Sequence, residues 1–221
     1  EDHTKTKWVT SEVHCIFKLS PRRKIKQINS DSLVAPSGIE LDTFKNSGDV
    51  LIATANAEIY TWKVKEQILQ KEFDSVFKEE SEYSNRGVIE RPIIVPDKHG
   101  NIWVAQDNFI ARVNRKNGNV SRLEYPREDS KYRQFREFRA LALDNEGNVW
   151  IGTYKHGVYI YNVQSGAFEH LSTTDGLAHP EIHAIVNDSQ GNMWIGTGSG
   201  VNLWSIQDNT FTQIEYNKDH N

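Results

Sequence analysis

Three times along this 221-residue chain an Asp is followed by Gly-Asn three and four residues later and by Trp two further on: Asp97 to Trp103, Asp144 to Trp150 and Asp188 to Trp194. A worn fourth copy runs from Lys45 to Leu51, so that Gly48, Gly100, Gly147 and Gly191 stand 52, 47 and 44 residues apart. A recurrence of that length is one supersecondary unit per period, and it constrains the fold more than any other feature of the chain.

Each part of the unit has a mechanical reading. An apolar run such as Ala140 to Leu143 or Ala184 to Val186 leads into Asp-x-x-Gly-Asn. The Asp side chain can bond the turn backbone and the Gly accepts positive φ, which makes a hairpin. Trp150-Ile151-Gly152-Thr153 or Trp194-Ile195-Gly196-Thr197 follows, then the alternating segments Val158 to Tyr161 or Val201 to Trp204. A second polar turn, at Gln164 to Gly166 or Gln207 to Thr210, opens the last strand of the unit. Four short strands per period predict an all-β chain, a β-propeller of four-stranded blades. The approximate units are 38–74, 89–125, 137–173 and 181–217, preceded by a partial one at 11–30. Four complete blades and a partial one read as a fragment of a larger ring or as a small five-bladed propeller.

Two stretches resist the pattern. Ile68, Leu69, Phe73, Val76 and Phe77 fall at helical spacing, but the repeat register places a strand near Ile68 to Phe73 and leaves Asp74 to Gly87 as a long connection. At the N-terminus, Glu12 to Phe17 aligns with Glu181 to Val186 as a first strand, after which only Ile25 to Ile28 precedes the next unit. The leading blade is therefore incomplete, or shows only its outer pair of strands.

Composition narrows function by exclusion. With 26 Lys plus Arg against 30 Asp plus Glu, the net charge of -4 gives no basic field for nucleic acid or an anionic membrane. No apolar run approaches a membrane span, and a start at Glu1 without Met reads as a processed or excised piece. The lone Cys15, inside the apolar run Val13 to Phe17, reads as a buried thiol. No Gly-x-Ser-x-Gly, phosphate loop or His-Glu-x-x-His occurs, so neither catalysis nor a cofactor is expected.

The string from Asp175 through Glu181, Asp188, Gly191-Asn192 and Trp194 to Thr197 closely resembles the two-component regulator propeller repeat. Phe138 to Thr153 is similar, Ile93 to Ala105 follows more loosely, and Ile39 to Thr54 follows by register. The resemblance implies a propeller from the periplasmic, or otherwise extracytoplasmic, sensor region of histidine kinases and related signalling proteins, often binding oligosaccharides. It implies a small-molecule or oligosaccharide ligand, pairing as a homodimer through the parent protein, and no membrane contact by this region itself. A second resemblance competes. Gly100 to Asn114, Gly118 to Val120 and Leu123 to Tyr125 are similar to a repeat of the streptogramin lyase propellers, which eliminate across an ester with a divalent metal. Such an enzyme would set a His base and a Glu metal ligand in neighbouring inner loops. The third alternative is a protein–protein interaction scaffold.

The repeat register also collects candidate ligand-binding residues. Seven residues before each turn Asp stands a glutamate, Glu90, Glu137 and Glu181, with Glu12 in the partial unit. Each marks the start of an inner strand, where equivalent positions of successive blades would converge on one mouth and hold sugar hydroxyls or a cation. His14 and His183 fall two positions further on, at a place that Arg139 takes in the unit between. Tyr132 and Tyr154 add aromatic faces, and the entering loops hold Tyr83, Arg86, Tyr125, Arg127, Arg133 and Arg136, a mixture suited to anionic sugars. The plain alternative is that the glutamates only punctuate strand starts. Trp103, Trp150 and Trp194 share one register of the second strand and read as packing between sheets.

Overall fold

The computed structural model describes the strand backbones of 7–10, 16–19, 25–28 and 36–41 and, with their side chains, residues 48–54, 56–74, 76, 92–106, 109–124 and 138–214. Among the described residues nineteen strands form five antiparallel sheets, four of them four-stranded, each built from strands consecutive in sequence. Among the described residues the only helical element is the 3-10 turn Thr173–Asp175.

The chain divides into two compact units, 1–123 and 124–221. Unit 1 opens with a three-stranded sheet I of β1 (Lys7–Thr10), β2 (Ile16–Leu19) and β3 (Ile25–Ile28). This corrects the sequence reading. The strand expected at 12–17 runs Ile16–Leu19 and lies in the middle of the sheet, paired with both Lys7–Thr10 and Ile25–Ile28. Sheet II follows as β4 (Pro36–Leu41), β5 (Val50–Thr54), β6 (Ile59–Lys63) and β7 (Ile68–Phe73). The helix-or-strand ambiguity at Ile68 resolves to a strand, because its backbone pairs with β6 from Ile68 to Phe73, with a register shift near Glu72. Sheet III consists of β8 (Ile93–Pro96), β9 (Asn101–Gln106), β10 (Phe109–Asn114) and β11 (Val120–Leu123). Leu51, Ala53 and Ile59 of sheet II pack with Ile94, Ile102, Val104, Ala111 and Val113 of sheet III in one core.

Unit 2 holds sheet IV, β12 (Phe138–Leu143), β13 (Val149–Thr153), β14 (Val158–Tyr161) and β15 (Phe168–Leu171). Sheet V is β16 (Ile182–Asn187), β17 (Met193–Thr197), β18 (Gly200–Ser205) and β19 (Thr210–Ile214). Its core joins Ala140, Trp150, Val158 and Leu171 of sheet IV to Ile182, Ile185, Met193, Ile195 and Trp204 of sheet V. Trp150 meets Trp204 edge to face at 6.1 Å between ring centroids.

The turn chemistry repeats in detail. Oδ1 of Asp97, Asp144 and Asp188 each accepts two backbone N–H bonds at 2.8–3.0 Å, and Oδ2 accepts one from the side-chain amide of Asn101, Asn148 and Asn192. Gly100, Gly147 and Gly191 hold φ of 88°, 90° and 94°, a region that L side chains avoid. In the worn copy Asp49 stands where the Asn would be, and its Oδ1 accepts the Val64 N–H as Asn148 Oδ1 accepts that of Val163. Thr54, Thr153 and Thr197 end the second strand in three sheets; each hydroxyl accepts a backbone N–H from the loop beyond it.

Trp103 and Trp150 are buried, 1% and 2% exposed, as expected of packing residues. Trp194 is a correction at 36% exposed. Trp150 faces sheet V, whereas Trp194 lies on the opposite face of sheet V beside the exposed Val186, Val201 and Ile214.

Candidate functional site

At one end of unit 2 the inner strands begin with a defect in pairing. The register shifts between Phe138 and Ala140 in β12, between Ile182 and Ala184 in β16, and likewise between Pro36 and Gly38 in β4. A bulge leaves its extra residue outside the ladder and re-aims that side chain. In sheets IV and V the extra residues are Arg139 and His183, and both are exposed. The sequence register that paired them therefore has a backbone cause.

Two loops complete this end. Tyr154 follows Thr153 in the loop from β13 to β14, and the guanidinium of Arg139 lies 4.7 Å from its ring centroid with Lys155 Nζ at 5.2 Å. Glu181 opens β16; its carboxylate sits 3.9 Å from His183 Nε2, with the Glu181 side chain 29% and the His183 side chain 54% exposed. Glu181 is held through its backbone, its N–H donating to His179 Nδ1 at 3.1 Å and its carbonyl accepting the Gly198 N–H at 2.9 Å. The loops are tied together by the Gly157 N–H, which donates to the Pro180 carbonyl at 2.8 Å. Beneath them the sheets approach so closely that a Cβ on Gly152 would lie 2.5 Å from Ile182 Cγ2.

Of the residues picked out from the sequence, Arg139 and Tyr154 form one contacting pair, and Glu181 and His183 a second on the linked loop. Glu90, Tyr132 and Glu137 lie outside the described residues, as do Glu12, His14, Cys15 and the loop residues Tyr83, Arg86, Tyr125, Arg127, Arg133 and Arg136. Sequence reasoning overlooked Lys155 and His179. Both sit on loops at the end where the bulges fall, and the variable-loop argument would have reached them had it been applied to every loop rather than to the longest. Among the described residues no three His, Cys, Asp or Glu side chains gather as metal ligands. The arrangement offers two cations beside an aromatic ring, a carboxylate and a weakly held imidazole, which suits recognition of a polar, partly anionic small molecule.

The comparisons with known proteins bear on the frame that carries these residues. The two-component regulator propeller family model matches residues 134–155 and 176–199, the turn segments of sheets IV and V with the loops that enter them. Those two segments are two-component regulator propeller repeats. It is similar to the extracellular domain of a putative hybrid two component system from B. thetaiotaomicron, with 18% identity over 97% of this chain and a TM-score of 0.67. It is also similar to virginiamycin B lyase from Staphylococcus aureus, with 15% identity over 97% of this chain and a TM-score of 0.68. The WD40 propeller domain of Doa1 matches 93% of the chain at 16% identity and a TM-score of 0.54. The chain spans 27% of the sensor domain, 68% of the lyase and 62% of the Doa1 domain. No curated protein matches the sequence. At these identities the structural likeness shows the fold, a β-propeller, and the family match assigns residues 134–155 and 176–199 to the two-component regulator propeller repeat. Among the described residues no helix is long and apolar enough to cross a membrane.

Proposed function

We propose that this chain is an extracytoplasmic, non-catalytic sensing module that binds a carbohydrate or similar polar small molecule at the end of unit 2 bearing Arg139, Tyr154, Glu181 and His183. The supporting observation is the pair of bulges at one repeat position, which turn Arg139 and His183 out of their ladders beside an aromatic ring and a carboxylate. Bulges hold a side chain at a fixed place on a rigid scaffold, and that suits recognition. Anionic sugars match the chemistry best: Arg139 and Lys155 supply charge and bidentate donors, Tyr154 supplies a ring, and Glu181 accepts from hydroxyls. The reading is supported by the two-component regulator propeller match of residues 134–155 and 176–199 and by the likeness to the extracellular domain of a putative hybrid two component system.

The test is calorimetric titration with a panel of neutral and uronate-containing oligosaccharides, each read again as a rise in Tm through native-state binding. A uronate oligosaccharide should bind; Arg139→Gln and Glu181→Gln should each weaken it by about tenfold or more, with little change in the unliganded Tm because both side chains are surface groups. A panel without any saturable binding, or binding untouched by either substitution, rejects this site. The lyase reading rests on the His183 and Glu181 pair and on a likeness that shows fold alone. It requires metal-dependent turnover of a cyclic ester that His183→Ala removes.

A further inference from the structure

In each four-stranded sheet the residue that follows Leu51, Trp103, Trp150 or Trp194 on the second strand has a partner on the third. In sheets II, III and IV that partner is Tyr60, opposite Ile52; Ala111, opposite Val104; and Tyr159, opposite Ile151. In sheet V it is Asn202, opposite Ile195. Ile195 belongs to the core shared with sheet IV, and Asn202 is 0% exposed. A primary amide taken out of water into such a place is costly unless its donor and its acceptor both find partners.

One loop supplies both partners. Asn202 Oδ1 accepts the Ala178 N–H at 2.9 Å, and Nδ2 donates to the Gly176 carbonyl at 3.2 Å. Between those two residues the side chain of Leu177 enters the core, 3% exposed. The hydroxyl of Ser199, from the hairpin that joins β17 to β18, donates to the Ala178 carbonyl at 2.9 Å. That hairpin lies so close to the loop that a Cβ on Gly198 would stand 2.6 Å from His179 Nδ1. Gly176 and Ala178 are thus fastened to sheet V through β18 and the turn that precedes it.

The chain then runs directly into the candidate site. Glu181 comes three residues after Ala178, and the backbone between them is bonded at each step: the Glu181 N–H to His179 Nδ1, the Pro180 carbonyl to the Gly157 N–H, and the Glu181 carbonyl to the Gly198 N–H. The Pro180 bond reaches the loop between β13 and β14, where Tyr154 and Lys155 stand beside Arg139. A shift of Ala178 would therefore move Glu181 and change its spacing from Arg139 and Tyr154.

We propose that Asn202 is a positioning residue of the sugar site: buried and out of reach of a ligand, it fixes the Glu181 carboxylate relative to Arg139 and Tyr154 through the loop from Gly176 to Glu181. This rests on the carbohydrate reading of that end of unit 2. It accounts for an amide at a core position that the other sheets fill with Tyr or Ala. An apolar side chain of similar size would leave the Gly176 carbonyl and the Ala178 N–H without these partners. A carboxylate already held where the ligand needs it spares the ordering cost of binding, so loosening the loop should weaken the ligand without any contact being deleted.

The test is a double-mutant cycle on the full chain, with tetragalacturonate as the uronate probe in calorimetric titration and amide exchange followed by NMR on each unliganded protein. Asn202→Leu should speed exchange at Ala178 and Gly157 by about tenfold or more while the amides of β13 keep their rates, and should weaken tetragalacturonate by about tenfold. Because Asn202 acts through Glu181, Asn202→Leu combined with Glu181→Gln should lose about tenfold in total, where independent effects would multiply to about a hundredfold. A merely structural role would not produce that shortfall. Ser199→Ala, at an exposed residue, loosens the same loop more gently; it should move both readouts in the same direction by less, and it carries the same cycle if Asn202→Leu does not fold. Losses that multiply with Glu181→Gln, or unchanged exchange at both Ala178 and Gly157, overturn the positioning role and leave the sugar site standing. A parent chain without saturable binding of tetragalacturonate rejects the uronate site on which the role rests, and the role with it.

Discussion

A single carboxylate organises each hairpin, and Asp188 shows what that costs and returns. Partial desolvation pushes its pKa up, but donation from the Trp194 indole, the Asn192 side chain and the backbone N–H groups of Asn192 and Gln190 outweighs it, so the carboxyl is held below its ordinary value of 3.8. A folded-state pKa below the unfolded one stabilises the protein fully above the unfolded value, and the contribution is lost as pH falls through the lower folded value. Asp188→Asn should therefore flatten the decline in Tm from about pH 4 downward relative to the parent; parallel acid limbs for the two proteins would remove Asp188 from the account. The tryptophans that follow the turns share a register but not a surrounding. Trp150→Ala should cost about 3–5 kcal/mol in urea unfolding, the range for a buried aromatic. For Trp194→Ala, on the open face of sheet V, the loss should be about 1 kcal/mol, the worth of one exposed hydrogen bond. Equal losses would mean that the face carrying Trp194 is covered in solution.

Between elements, the distance of approach decides which residues are free to vary. Gly152 and Gly196 occupy the same register in β13 and β17, yet a Cβ on Gly152 would meet Ile182 at 2.5 Å while one on Gly196 would have Ala184 Cβ at 3.8 Å as its nearest neighbour. Gly152→Ala should destabilise by about 1–3 kcal/mol through overpacking, and Gly196→Ala should fall within about 0.5 kcal/mol of the parent or above it, since Ala also loses less chain entropy on folding. Chemical denaturation of the two variants separates these outcomes, and a tolerated Gly152→Ala would show that β13 and β16 part easily. The contrast marks the limit of reading the sequence. Turn residues were legible because Asp144, Gly147 and Asn148 act on their own backbone within a few residues, and β7 was legible once register was preferred to helical spacing. Exposure of Trp194 was not, because it depends on what stacks against a sheet and not on the strand itself. The start of the chain was misread for a related cause: Lys7–Thr10 carries no turn signal like Asp-x-x-Gly-Asn, and only its pairing with Ile16–Leu19 reveals it. At the candidate site the register brought Arg139 and His183 into one class, whereas the bulges that expose them and the Lys155 side chain beside Tyr154 needed the backbone.

Across the whole molecule the same gradient of burial recurs in every complete blade. The second strands β5 and β13 are buried throughout, and β9 is buried at four of its six positions. The fourth strands β7, β11 and β19 have no buried residue, and β15 has only Leu171. In a repeat array stability is the sum of blade terms and nearest-neighbour interface terms, so local opening should follow this gradient more than position along the chain. Amide hydrogen exchange should show protection that peaks at β5, β9 and β13 and falls at each fourth strand, once per period of 44 to 52 residues. Sheet V is the informative exception. Its second strand β17 has Trp194 on the open face and Gly196 half-buried, so β17 should exchange faster than β13 despite the near-identical sequence Trp-Ile-Gly-Thr. Slower or equal exchange in β17 would mean that another sheet covers Val186, Trp194, Val201 and Ile214 in solution. A smooth rise or fall along the chain, without the period, would contradict the repeat account of stability altogether.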